Sequence, residues 1–176
     1  MYVMHVRQAN RGRPLEELIE RTFAGMPGVQ FFRQANVWVP LKSGKRGAFP
    51  AKGAPVDFVG AVYGIPVVLE CKEVSRGERF PLNESRLPEK EVWAMKSFEE
   101  AGGRSFLLVA FWERGLLAVY PFGTVEEELA SGSHSLSVEK GEVLSLDGKN
   151  GVPAFNGSNL AGVLAKARYG CARHQQ

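Results

Sequence analysis

The stretch PVDFVGAVYGIPVVLECKEV, residues 55–74, constrains the fold more than any other part of the chain. Two apolar, β-branched runs flank Gly64-Ile65-Pro66, which predicts a β-hairpin with strands over Val56–Tyr63 and Val67–Glu73. Val67, Val68 and Leu69 assign the second strand to a core, yet Glu70 and Lys72 interrupt it. Charged side chains are costly to bury alone. Side chains alternate across a strand, so Glu70 and Lys72 share one face while Leu69 and Cys71 take the other.

Asp57 lies in the first strand, and the hairpin can carry it beside Glu70. Two carboxylates and an ammonium then meet in one cleft. Paired carboxylates repel unless a cation or a proton relieves them, and hard oxygen donors suit Mg²⁺, with Mn²⁺ as a substitute. A lysine beside such an ion can orient an attacking water or stabilise charge on a phosphoryl transition state. The competing explanation is an ion pair of Lys72 with Asp57 or Glu70, and by spacing alone it is the commoner one.

Two helices carry further acids. The first is predicted over Pro14–Phe23, with Pro14 in its first turn and Gly25 just past its end. At ~100° per residue, an apolar stripe centred near Leu15 leaves Glu17 at ~170°, Glu20 at ~130° and Glu16 at ~90°. Glu16 is therefore the acid best placed to reach along the edge of the core. The second helix, about Glu89–Ala101 and closed by Gly102-Gly103, puts Glu91 on a stripe with Ala94, Met95 and Phe98. An acid there wants a cation or a donor, although a place in the first turn, favoured by the helix dipole, accounts for it more simply.

Strands are expected at Val29–Arg33, near Asn36–Pro40, at Ser105–Phe111 and at Leu116–Tyr120, the last two joined by Glu113-Arg114-Gly115. Short helices are expected at Thr124–Ala130 and Asn159–Arg168, with weak strands and loops over 131–157. Strands alternating with helices predict an α/β fold, a mixed sheet with helices packed on it. At 176 residues the chain fits a single domain, 1–176. A basic, glycine-rich loop or protruding hairpin is expected over about 41–55.

Net charge is +3 but uneven. Residues 1–52 hold nine Lys/Arg against three acids, and the remainder holds thirteen against sixteen. That asymmetry points to a face for a polyanion, with a solvated basic surface as the plain alternative. Cys71 and Cys171 form no CxxC, and His5, His134 and His174 are scattered, so zinc has little support. No signal peptide or membrane span is visible, and the two cysteines read as reduced thiols of a cytoplasmic protein.

Asn10-Arg11-Gly12, Leu15-Glu16-Glu17, Asp57-Phe58-Val59-Gly60, Glu70-Cys71-Lys72-Glu73, Phe80-Pro81-Leu82 and Met95-Lys96 together closely resemble the RecU-type Holliday-junction resolvases. These belong to the PD-(D/E)xK nucleases, with the archaeal Hjc resolvases and many restriction enzymes. The resemblance runs over roughly residues 10–122. It implies a restriction-endonuclease-like fold and a homodimeric, Mg²⁺-dependent endonuclease acting on four-way DNA junctions. It implies catalytic roles for Glu16, Asp57, Glu70 and Lys72, with Asp57, Glu70 and Glu16 as metal ligands. It matches Arg11 to a basic residue near the DNA.

Arg13, Arg33, Lys42, Lys45, Arg46 and Lys52 are further candidates for phosphate contacts, from the basic character of this third of the chain. Three departures stand out. Val56 separates Pro55 from Asp57, Glu91 stands where these proteins tend to have glutamine, and the basic segment 41–55 is short for their stalk. Two other readings remain: a duplex nuclease of restriction or repair type, and a DNA-binding recombination module without catalysis.

Overall fold

The computed structural model describes residues 13–34, 38–40, 48–50, 54–146, 148 and 152–166. The chain begins with helix α1 (Arg13–Phe23) and strand β1 (Val29–Arg33), followed by the short strands β2 (Trp38–Pro40) and β3 (Ala48–Pro50). Next come β4 (Phe58–Val62), β5 (Ile65–Val74), β6 (Arg79–Pro81), helix α2 (Glu89–Glu100), β7 (Arg104–Phe111) and β8 (Leu116–Pro121). Helix α3 (Phe122–Ala130), β9 (Ser135–Ser137), β10 (Glu142–Ser145) and α4 (Gly157–Lys166) complete it.

Six strands form one sheet in the order β1-β4-β5-β7-β8-β10. Every pairing is antiparallel except β5 with β7, which α2 joins as a crossover. This is the mixed sheet flanked by helices that the sequence predicts. On one face Val67, Leu69, Phe106, Leu108 and Val119 pack against Leu15, Ile19 and Phe23 of α1 and Leu160 and Leu164 of α4. On the other, Val68, Leu107, Val109, Phe111 and Tyr120 pack against Met95 of α2 and Phe122 and Val125 of α3. Burying each such side chain is worth about 1.5–3 kcal/mol of transfer free energy.

The hairpin turns earlier than Gly64-Ile65-Pro66. Val62 pairs with Ile65, and Tyr63 and Gly64 alone make the turn, with φ of 50° and 81°. Positive φ at both central residues is the two-residue turn whose twist matches a hairpin, so Ile65 and Pro66 belong to the strand. The first strand is also shorter than expected, because the chain bends at 55–57 and β4 starts at Phe58.

Segment 75–88, with no element expected, contains β6, which pairs with β9 in a separate ribbon. Within β6 only Phe80 is buried, too little period for the sequence to announce a strand. A second ribbon pairs β2 with β3 at the base of the basic segment; residues 41–47 and 51–53 lie outside the described residues.

Candidate active site

β4 stops before β5 does. Their last paired residues are Phe58 and Leu69, whereas β5 stays paired with β7 as far as Val74. From Glu70 onward one edge of β5 therefore lacks a strand neighbour. The main-chain N–H of Asp57 still donates to the Leu69 carbonyl at 3.1 Å. The Asp57 side chain then takes over from the missing strand, its Oδ2 accepting from the Cys71 N–H at 2.7 Å. Asp57 thus sits in the bend before β4, not within the strand, and is tied to the backbone between Glu70 and Lys72.

Glu70 is the one charged residue that is buried among the described residues, at 3 % exposure. Lys72 Nζ lies 2.7 Å from Glu70 Oε1 and 2.7 Å from Glu91 Oε2. The ion pair expected as the competing explanation is therefore present, within one strand rather than across two, and it includes a third partner from α2. Occupancy of the first helical turn is thus not the whole account of Glu91, whose carboxylate grips the lysine.

Burial pushes the Glu70 carboxyl well above its ordinary pKa, and the Asp57 charge pushes it further against the pull of Lys72. Asp57 is raised too, by burial first, while the Cys71 N–H and Lys72 pull it down. Burial works against the Lys72 ammonium, but Glu70 and Glu91 outweigh it and its pKa rises. Three acids share one ammonium, so the cluster is short of positive charge.

Glu16 faces the cleft from α1, and Glu17 is exposed. Burial raises the Glu16 carboxyl, the Asp57 charge adds to this, and Arg33 opposes both. Arg33 pairs with Glu16 and, at 3.0 Å, with Glu20. Arg13 opens α1; its side chain, together with Arg11, Lys42, Lys45, Arg46 and Lys52, lies outside the described residues.

Among the described residues no three His, Cys, Asp or Glu side chains are grouped to hold a metal ion. The chemistry of the pair Asp57–Glu70 nevertheless fits a hard divalent cation: both are oxygen donors, Glu70 is buried and Asp57 half-buried, burial raises the pKa of each, and the Asp57 charge raises that of Glu70 further. Glu16, held by Arg33, stands apart from that pair.

One acid escaped the sequence reading. Glu73 Oε1 accepts from the Leu15 N–H at 2.9 Å, and its Oε2 accepts from Trp112 Nε1 at 2.9 Å. The alternation that puts Glu70 and Lys72 on one face puts Glu73 on the other, toward α1, and that parity was the available signal.

A family model described as "Recombination protein U" matches residues 10–141, three quarters of the chain. The chain belongs to the RecU family. The residues that carry the sequence resemblance all fall inside that span. No curated protein sequence matches the chain. Among solved structures it is similar to that of Hjc from Archaeoglobus fulgidus, a Holliday junction resolvase from an archaeal hyperthermophile, with 16 % identity and a TM-score of 0.42. That similarity covers 64 % of this chain and 77 % of the other. No helix among the described residues is long and apolar enough to cross a membrane.

Proposed function

We propose that this RecU-family protein is a metal-dependent endonuclease that resolves four-way DNA junctions. The observation that carries the proposal is the Asp57–Glu70–Lys72 cluster, with Glu70 buried and its two partners half-buried, at the point where β5 outruns β4. Uncompensated carboxylates are expensive to keep in a fold, and a site for a cation and a phosphate explains why this one keeps them.

Asp57 and Glu70 would hold a Mg²⁺ ion, with Mn²⁺ able to substitute. Bound there, the ion would supply Lewis acidity at the scissile phosphate. As Glu70 turned to the cation, Lys72 would keep its charge through Glu91 and direct an N–H at the attacking water or at a phosphoryl oxygen. Glu16 would complete the acidic wall, directly or through water, once Arg33 was drawn to DNA. Hydrolysis would leave a 5′-phosphate and a 3′-hydroxyl. Two symmetric nicks need two sites, so the acting form would be a homodimer. Arg11, Arg13, Arg33, Lys42, Lys45, Arg46 and Lys52 would hold phosphates.

The test is cleavage of a synthetic four-way junction beside a matched linear duplex, with Mg²⁺, Mn²⁺, Ca²⁺ or EDTA. Paired nicks in the junction with Mg²⁺ or Mn²⁺ are expected. Preferred cutting of the duplex would make the protein a restriction- or repair-type nuclease. Junction binding indifferent to metal, with no product, would make it a binding module.

A further inference from the structure

Strand β5 carries acids on both faces, and the proposed nuclease site uses only one of them. Glu70 and Lys72 point toward α2, while Glu73 points the other way and reaches the start of α1. Its two carboxylate oxygens are both engaged, one by the Leu15 N–H at 2.9 Å and one by the Trp112 indole N–H at 2.9 Å. The first N–H groups of a helix have no partner inside it, and a carboxylate there also meets the positive end of the helix dipole. Glu73 supplies that carboxylate from 58 residues away in the chain. The residue after Leu15 is Glu16.

From these contacts we infer that Glu73 is a positioning residue: it fixes the first turn of α1 against β5 and so sets where the Glu16 carboxylate stands relative to Asp57. The inference rests on the nuclease reading for the role of Glu16, but not for the tether itself. One strand then places Glu70, Asp57 and Glu16. Glu70 is its own residue, Asp57 is bonded to its Cys71 N–H, and Glu16 follows from Glu73. Trp112, just beyond β7, occupies the second oxygen.

The experiment compares Glu73→Gln and Glu73→Ala with Glu16→Gln, the double variant Glu16→Gln/Glu73→Ala, and Trp112→Phe. Three quantities are measured: hydrogen exchange over the first turn of α1, Mn²⁺ affinity by calorimetry, and single-turnover junction cleavage. Glu73→Ala is expected to speed exchange in that turn and to slow cleavage about 10–100-fold, the range typical of removing a partner that orients a ligand. Junction affinity should stay near wild type. The double variant should cleave no more slowly than Glu16→Gln alone, because Glu73 acts through Glu16. Glu73→Gln, which keeps one acceptor oxygen, should fall between wild type and Glu73→Ala, and it carries the test if the alanine variant fails to fold. Trp112→Phe leaves the Leu15 contact and should cut close to wild type.

A double variant slower than Glu16→Gln by the full Glu73 loss would overturn the inference, as would unchanged exchange in the first turn. Should wild type cleave no junction, the nuclease reading fails separately. Exchange then decides the tether, and Mn²⁺ affinity decides its link to Glu16: equal weakening in Glu73→Ala, Glu16→Gln and the double variant supports it, and additive weakening refutes it.

Discussion

β5 and β7 lie side by side in parallel, in register, at the same depth, and yet carry opposite chemistry. Glu70 is level with Leu107, and Lys72 with Val109. Leu107 and Val109 are fully buried in the layer under α2 and α3. The difference lies in the outer neighbours. β7 has β8 beside it through Phe111, whereas β5 loses β4 at Leu69. A strand flanked on both sides and covered on both faces can hold only apolar side chains cheaply. Where the flanking strand stops, the backbone needs a substitute partner and the face opens at one edge, so Asp57, Glu70 and Lys72 can stand together. The polar site is thus a consequence of strand lengths.

The sharpest way to break this comparison is to neutralise the β5 acids. Glu70→Gln and Asp57→Asn are expected to lower metal-dependent cleavage by several kcal/mol of barrier, roughly 10³-fold or more, because an amide is a poor ligand for Mg²⁺. Single-turnover assays with saturating protein measure this. The mirror experiment is Leu107→Ala on β7. It should cost about 2–5 kcal/mol of stability by leaving a cavity, seen as a lower denaturation midpoint, while the cleavage rate of the folded fraction holds.

A smaller effect separates two neighbours on α1. Glu16→Gln should slow cleavage clearly more than Glu17→Gln, since Glu17 is exposed and Glu16 faces Asp57. Equal rates for the two would remove Glu16 from the site.

The smallest effect concerns stability and pH. Asp57 has its pKa raised in the fold, chiefly by burial. Its protonation therefore favours the folded state, a contribution present at low pH and lost as pH rises through the raised value. Asparagine does not titrate. Metal-free Asp57→Asn should consequently melt above wild type at pH 8, with the gap closing as pH falls into the carboxylate range. Thermal melts in EDTA across pH check the sign.

Much of this was legible in the chain. The apolar runs of β1, β5, β7 and β8 and the stripe of α1 carry strong period, and burial of Leu15, Ile19 and Leu69 follows from it. The parity of β5 separates Glu70 and Lys72 from Cys71 without any structure. Other features depend on tertiary contacts that leave no local mark. The turn shifts to Tyr63-Gly64 because a non-glycine residue accepts positive φ there. β6 forms only because β9, more than fifty residues later, pairs with it. The bond from Lys72 to Glu91 depends on how α2 crosses the sheet, and that from the Leu15 N–H to Glu73 on where α1 docks.

The central claim is that the charges on the open edge of β5 serve chemistry rather than folding, and Lys72→Ala tests it most directly. Junction cleavage, junction affinity and melting temperature are measured on the same preparation. The account predicts cleavage reduced by about 10²–10³-fold or more, as for loss of a donor aimed at transition-state charge, with affinity nearly intact and the protein folded. Near-wild-type cleavage, or a loss that merely tracks unfolding, would contradict it.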